Sequence, residues 1–121
     1  MRLKNKIAMV VGAGQTPGPT IGNGRATALL FAREGAQVLA VDRDIESAQE
    51  TVELIQHEGG QGEAVVADVV DETSLEAAVK PCKDRLGRLD ILHNNVGISV
   101  TGGDAPVTEI STEAFDRIIA V

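Results

Sequence analysis

The sequence contains no tyrosine and no tryptophan, and only two phenylalanines. It has a single cysteine, Cys82, which excludes an internal disulfide and any cysteine-rich zinc site. Its two histidines, His57 and His93, stand in no cluster with metal-ligand spacing, so no metal site is expected. A basic block is also missing. The chain carries 11 Lys and Arg against 18 Asp and Glu, a net charge of −7. That balance argues against nucleic acid or an anionic membrane as the main partner. A nucleotide cofactor is not excluded, because local backbone N–H groups bind phosphate within an acidic protein. The N-terminus opens with basic residues, but only the five apolar residues Ile7–Val11 follow together. Such a run is too short for a signal peptide's apolar region or a membrane span, and the cytoplasm is the expected location.

What is present reads as one soluble domain. The 121 residues are 43% apolar and 24% charged, enough for a single core. Four short apolar runs stand out: IAMVV (7–11), VLAV (38–41), EAVVA (63–67) and LDILH (89–93). Three are rich in Val or Ile with little alternation, as expected of strands buried on both faces. Helical patterns lie between them. The first runs from Arg25 to Glu34 and stops at Gly35. The second has Asp44 as N-cap, a stripe of Ala48, Val52 and Ile55, and an end near Gly59-Gly60. The third opens at Asp71, carries Leu75, Val79, Cys82 and Leu86 as its stripe, and stops at Gly87. Pro81 inside it is expected to kink it. A fourth starts after Ser111, and a polar loop over 99–110 precedes it. The alternation βαβαβαβα implies a doubly wound, Rossmann-like α/β fold with a parallel sheet, and 1–121 as one dinucleotide-binding domain.

The segment GAGQTPGPTIGNG, from Gly12 to Gly24, follows the first strand directly. In an open parallel sheet, ligands bind beyond the carboxyl ends of the strands. A helix starting near Gly24 offers unpaired N–H groups and the positive end of its dipole to a pyrophosphate. Taken alone, the segment serves equally well as a flexible turn. Asp42 ends the second strand 18 residues after Gly24. A carboxylate there accepts ribose hydroxyls and repels a 2′-phosphate, although a plain turn residue reads the same way. The fourth strand ends in Asn94-Asn95-Val96-Gly97, two adjacent amides and a glycine.

Together these residues resemble the short-chain dehydrogenase/reductase family over essentially the whole chain. The family pattern is a Thr-Gly-x-x-x-Gly-x-Gly loop, an acid closing the second strand in NAD-preferring members, Asp-Val after the third strand and Asn-Asn-Ala-Gly after the fourth. By resemblance, Gly12, Gly22, Asn23 and Gly24 form the phosphate loop. Asp42, with Arg43 beside it, faces the ribose, Asp68-Val69 the adenine, and Asn94, Asn95 and Gly97 the fourth-strand motif. ATALLFAREGA and GRLDIL look like the family's usual text around those sites. The chain departs from the pattern with Val11 for threonine, Asn23 for an apolar residue, Val96 for alanine and His93 for a small apolar residue. His93 is read as structural. The first two glycines lie ten positions apart instead of the family's four, which makes QTPGPT (15–20) an insert stiffened by Pro17 and Pro19. A register through Gly12, Gly14 and Gly18 would put Gly22 and Gly24 into the first helical turns, at roughly 1 kcal/mol each.

The resemblance implies hydride transfer between a nicotinamide ring and an alcohol or carbonyl carbon, with NAD preferred to NADP, in a homo-oligomer. The family's proton-transfer group is a tyrosine with a lysine four residues on, joined by a serine, all beyond the fourth helix. No such tyrosine is present, so no catalytic residue is expected among these 121, and the chain reads as the cofactor-binding half, cut at Val121. Lys80 and Lys83 lie on the third helix, away from the strand ends. Asp104 and Glu109 read as solvated loop charges. A non-catalytic dinucleotide-binding fragment or sensor is the alternative. A methyltransferase-like fold also places an acid after the second strand, but the double asparagine and the Gly22-Asn23-Gly24 group disfavour it.

Overall fold

A computed structural model describes residues 1–98 and 100–121; Ser99, the first residue of the expected polar loop, lies outside the described residues. The chain forms β1 (Ile7–Val11), α1 (Asn23–Arg33), β2 (Gln37–Asp42), α2 (Ile45–His57), β3 (Gln61–Val66), α3 (Glu72–Pro81), β4 (Ile91–Asn94) and α4 (Thr112–Ala120). All strands pair in parallel in the order β3-β2-β1-β4. This is the Rossmann-like α/β architecture that the alternation of elements implies.

Side chains of the inner strands alternate between two cores because successive residues point to opposite faces. Ala8, Val10, Val38 and Ala40 meet Ala28, Leu29 and Ala32 of α1 and Val52 and Ile55 of α2. Met9, Val11, Leu39 and Val41 meet Ala78 and Cys82 on the other face. Small residues dominate the first core and let α1 and α2 lie close to the sheet. Register aligns the strand ends: Val11 stands opposite Val41 and Asn94, with Asp42 one residue beyond. The residues singled out in the sequence therefore share one edge of the sheet.

Some expected details differ. β3 is half-buried to exposed, with Val66 57% exposed, because it is an outer strand and, among the described residues, no strand pairs with its far side. β4 begins at Ile91, since Asp90 is occupied in bonds to Ile7 and Arg88. α1 begins at Asn23, two residues earlier than expected. Pro81 ends α3, and Cys82–Leu86 form a π-helical turn. Proline has no N–H to donate to the preceding turn, and the wider turn absorbs the loss. Of the expected stripe, Leu75, Cys82 and Leu86 pack on the second core. Val79 is exposed, Ala78 is buried in its place, and Cys82 stays buried. Within the 99–110 loop, Val100–Gly102 form a short 3-10 turn.

Candidate functional site

The carboxyl end of β1 turns sharply at Gly12, whose φ of +87° is left-handed and suits glycine. Gly12 N–H and Ala13 N–H both donate to Val41 O, at 2.8 and 3.0 Å, which ties the loop to β2. On the other side Asn95 N–H donates to Val11 O at 2.9 Å. A Cβ added at Gly24 would overlap the carbonyl oxygen of Gly12 and stand 2.9 Å from Asn95 Nδ2. A Cβ on Gly12 would stand 2.8 Å from Asn95 O. The first turn of α1, the β1 turn and the β4 motif thus close on one point. Such packing requires glycine at positions 12 and 24, and at 14 as well, where a Cβ would stand 2.5 Å from Ser47 Oγ, whereas Gly22 has open space around it.

α1 has Gly22 as its N-cap and no acidic residue in its first turn. Among the described residues, the N–H groups of Asn23, Gly24 and Arg25 have no hydrogen-bond partner. They are free donors at the positive end of a helix dipole, which fits an anion.

Asp42 does more than close β2. Its Oδ2 accepts Gly14 N–H and its Oδ1 accepts Asp44 N–H, both at 3.0 Å. Each carboxylate oxygen keeps a further lone pair for an outside donor. Ser47 accepts Gln15 N–H at 2.6 Å and donates to Gln15 O at 3.0 Å. Thr51 donates to Ala13 O at 2.7 Å. Arg25, only 9% exposed, donates from Nε to Thr51 Oγ1 at 2.9 Å. Its Nη2 reaches Ser47 O and Glu50 Oε2, each at 3.1 Å. Sequence reasoning missed these loop-holding residues. A signal did exist: Ser47 and Thr51 are hydroxyls four apart, next to the apolar stripe of Ala48, Val52 and Ile55.

A cleft of about 490 Å³ opens at this edge. Gly12, Asp42, Arg43, Asp68, Val69, Asn95 and Gly97 line it. Asp68 is fixed by its N–H to Ser74 Oγ at 2.9 Å and by Val70 N–H to its Oδ1 at 3.1 Å. Gly22, Asn23 and Gly24, at the start of α1, are not among the residues that line the cleft. Asn94 is paired opposite Val11, exposed, and does not line the cleft. A second cleft of about 510 Å³ lies at the opposite edge, beside Ile7, Gln37 and Gln61, the first residues of three strands. It lacks the glycine turn and paired acid, and parallel sheets bind ligands at the carboxyl ends. His93 packs edge to face against Phe31 at 6.2 Å, in keeping with a structural role. Among the described residues, no group of three His, Cys, Asp or Glu could hold a metal, and no helix is long and apolar enough to cross a membrane.

Residues 6–121 match the sequence model of the short chain dehydrogenase family. The chain belongs to that family. An uncharacterized oxidoreductase of Bacillus subtilis, YxbG, is 44% identical over 120 residues, which are 99% of this chain and 41% of that protein. Sorbitol dehydrogenase of Cereibacter sphaeroides is 36% identical over 121 residues, 100% of this chain and 43% of that enzyme. The fold matches the crystal structure of a candidate short-chain dehydrogenase/reductase from Burkholderia xenovorans with a TM-score of 0.90, at 41% identity over 98% of this chain and 46% of that one. The chain thus spans less than half the length of these short-chain dehydrogenases.

Proposed function

We propose that this chain is the nicotinamide-dinucleotide-binding domain of an NAD-dependent oxidoreductase that acts on an alcohol or carbonyl substrate. Bound there, the dinucleotide would supply a hydride acceptor or donor. Gly12 makes the tight turn, and Gly22, Asn23 and Gly24 hold the pyrophosphate with backbone N–H groups. Asp42 holds the adenosine ribose, and Arg43 stands at the rim. Asp68 and Val69 border the adenine. Asn94, Asn95 and Gly97 border the cofactor at the end of β4, and Asn95 also braces the β1 turn. The protein is placed in the cytoplasm, as a homo-oligomer.

The observation that carries this reading is the position of Asp42 at the mouth of the glycine turn, joined to the loop through Gly14 N–H. A 2′-phosphate beside it would meet like charge, which favours NAD over NADP. Fluorescence titration with NADH and NADPH tests the preference, and equal affinities would overturn it. Asp42→Ala is expected to weaken NADH binding by about tenfold and to narrow the preference. Asp42→Asn keeps one oxygen for one of the two backbone N–H groups, of Gly14 or Asp44, and loses the charge and the other acceptor, so it should narrow the preference with a smaller loss than Asp42→Ala. The 121 residues include no tyrosine, which favours, as a second reading, a binding module without turnover of its own. Cofactor binding by this chain with no carbonyl reduction would support that reading.

A further inference from the structure

Three of the four α-helices bring their own N-cap. Asp44 accepts from Ser47 N–H, Asp71 from Thr73 and Ser74 N–H, and Ser111 from Ala114 N–H. At α1 the N-cap is Gly22, which has no side chain to offer. Its N–H instead donates to Oε1 of Gln15 at 2.8 Å, across the Pro17 and Pro19 segment. The backbone of Gln15 is pinned to Ser47 by two hydrogen bonds, so the side chain is the part left free to turn. The space before Gly22 is otherwise open. A Cβ built there meets only Gln15 atoms, at 3.9 Å.

We propose that the Gln15 carboxamide is a built-in occupant of the pyrophosphate subsite, which a pyrophosphate-bearing ligand displaces from Gly22 N–H on binding. This inference rests on the dinucleotide reading above. One N–H at the positive end of α1 cannot serve both acceptors fully, and a phosphate oxygen, being charged, is the stronger of the two. Displacement costs the net worth of one neutral hydrogen bond, equivalent to about fivefold in affinity. The loop need not move, because Ser47 keeps the Gln15 backbone in place while the side chain rotates away. Gln15 thereby lowers affinity for the pyrophosphate portion of the ligand and leaves the adenosine portion untouched.

The test is calorimetric titration of the wild type, Gln15→Ala and Gln15→Glu with ADP-ribose and, separately, with adenosine. Hydrogen exchange at the Gly22 amide of the ligand-free proteins is followed by NMR. Gln15→Ala is expected to bind ADP-ribose about fivefold tighter, to leave adenosine affinity unchanged, and to speed exchange at Gly22. Gln15→Glu, a charged rival that also repels phosphate, is expected to bind ADP-ribose about tenfold weaker. If the wild type binds ADP-ribose but Gln15→Ala binds it no tighter, or tightens adenosine equally, or leaves Gly22 exchange unchanged, the role of Gln15 is overturned and the dinucleotide reading stands. If the wild type binds neither ADP-ribose nor NADH, both fall.

Discussion

The carbonyl oxygen of Gly12 lies where the first side-chain atom of residue 24 would have to stand. The obstacle is backbone, so it cannot rotate aside, and α1 would have to shift bodily. Gly24→Ala is expected to cost about 1–3 kcal/mol of stability through overpacking and to abolish NADH binding. Gly22 separates the two effects. Its surroundings are open and its φ of −74° suits any residue, so Gly22→Val should keep the fold and lose the cofactor. Urea denaturation and NADH titration of the two variants check this. Equal stability losses in both would show that the glycines do not divide in this way.

The proline-bearing insert should matter less than the glycines. Residues 16–20 are exposed, and among the described residues they make no hydrogen bond, whereas Gln15 is anchored on Ser47. Deleting Thr16–Thr20, or the whole QTPGPT stretch, is expected to leave NADH affinity within about tenfold, or ~1.4 kcal/mol. If the deletion destroys binding while Gly22→Val and Gly24→Ala preserve it, the phosphate donors lie elsewhere in the loop.

Much of this site was legible in the sequence, because its anchors are local. Asp44, Asp71 and Ser111 cap their helices as their positions before apolar stripes suggest. The alternation of elements implied the parallel sheet, and the helical pattern after the glycine segment placed α1 to within two residues of its start at Asn23. What escaped depends on distant parts of the chain. The EAVVA run reads like an inner strand, yet β3 is half-exposed because topology, not composition, puts it at the edge. Val79 is exposed while Ala78, three residues after Leu75 and four before Cys82, takes the core position, because a small side chain fits there and the apolar type of Val79 misleads. Gln15, Ser47, Thr51 and Arg25 look like ordinary loop and helix residues until folding brings α2 against the glycine turn.

Asp90 links the starts of β1 and β4. Its Oδ2 accepts Ile7 N–H at 2.8 Å and Arg88 Nε–H at 3.0 Å. The Ile7 bond chiefly, and Arg88 after it, hold its carboxyl below the usual aspartate range. A lowered folded-state pKa stabilises the fold fully above the unfolded value, about 3.9, and that contribution is lost as pH falls through the lower folded value. Asp90→Asn is expected to reduce the melting temperature at neutral pH and to flatten its acid decline below about pH 4. A variant whose acid decline overlays that of the wild type would remove Asp90 from this role.

β4 is an outer strand, with one backbone edge unpaired among the described residues. Such an edge is a template for another strand unless charge or a covering element blocks it. Here the one acid nearby, Asp90, is turned inward to Ile7 and Arg88. Leu92 is 55% exposed on this strand, and Phe115 and Ile119 of α4 are 53% and 69% exposed. β3, the other outer strand, is better guarded, since Glu63 on it pairs with Arg85. The 121-residue chain is therefore expected to self-associate through β4 as its concentration rises. Leu92→Lys places a charge on that strand and should shift the association to higher concentration by about tenfold or more. Light scattering across a concentration series reads both proteins. A wild-type chain that stays a monodisperse monomer throughout, or a Leu92→Lys variant that associates equally, would mean that β4 is not the adhesive edge.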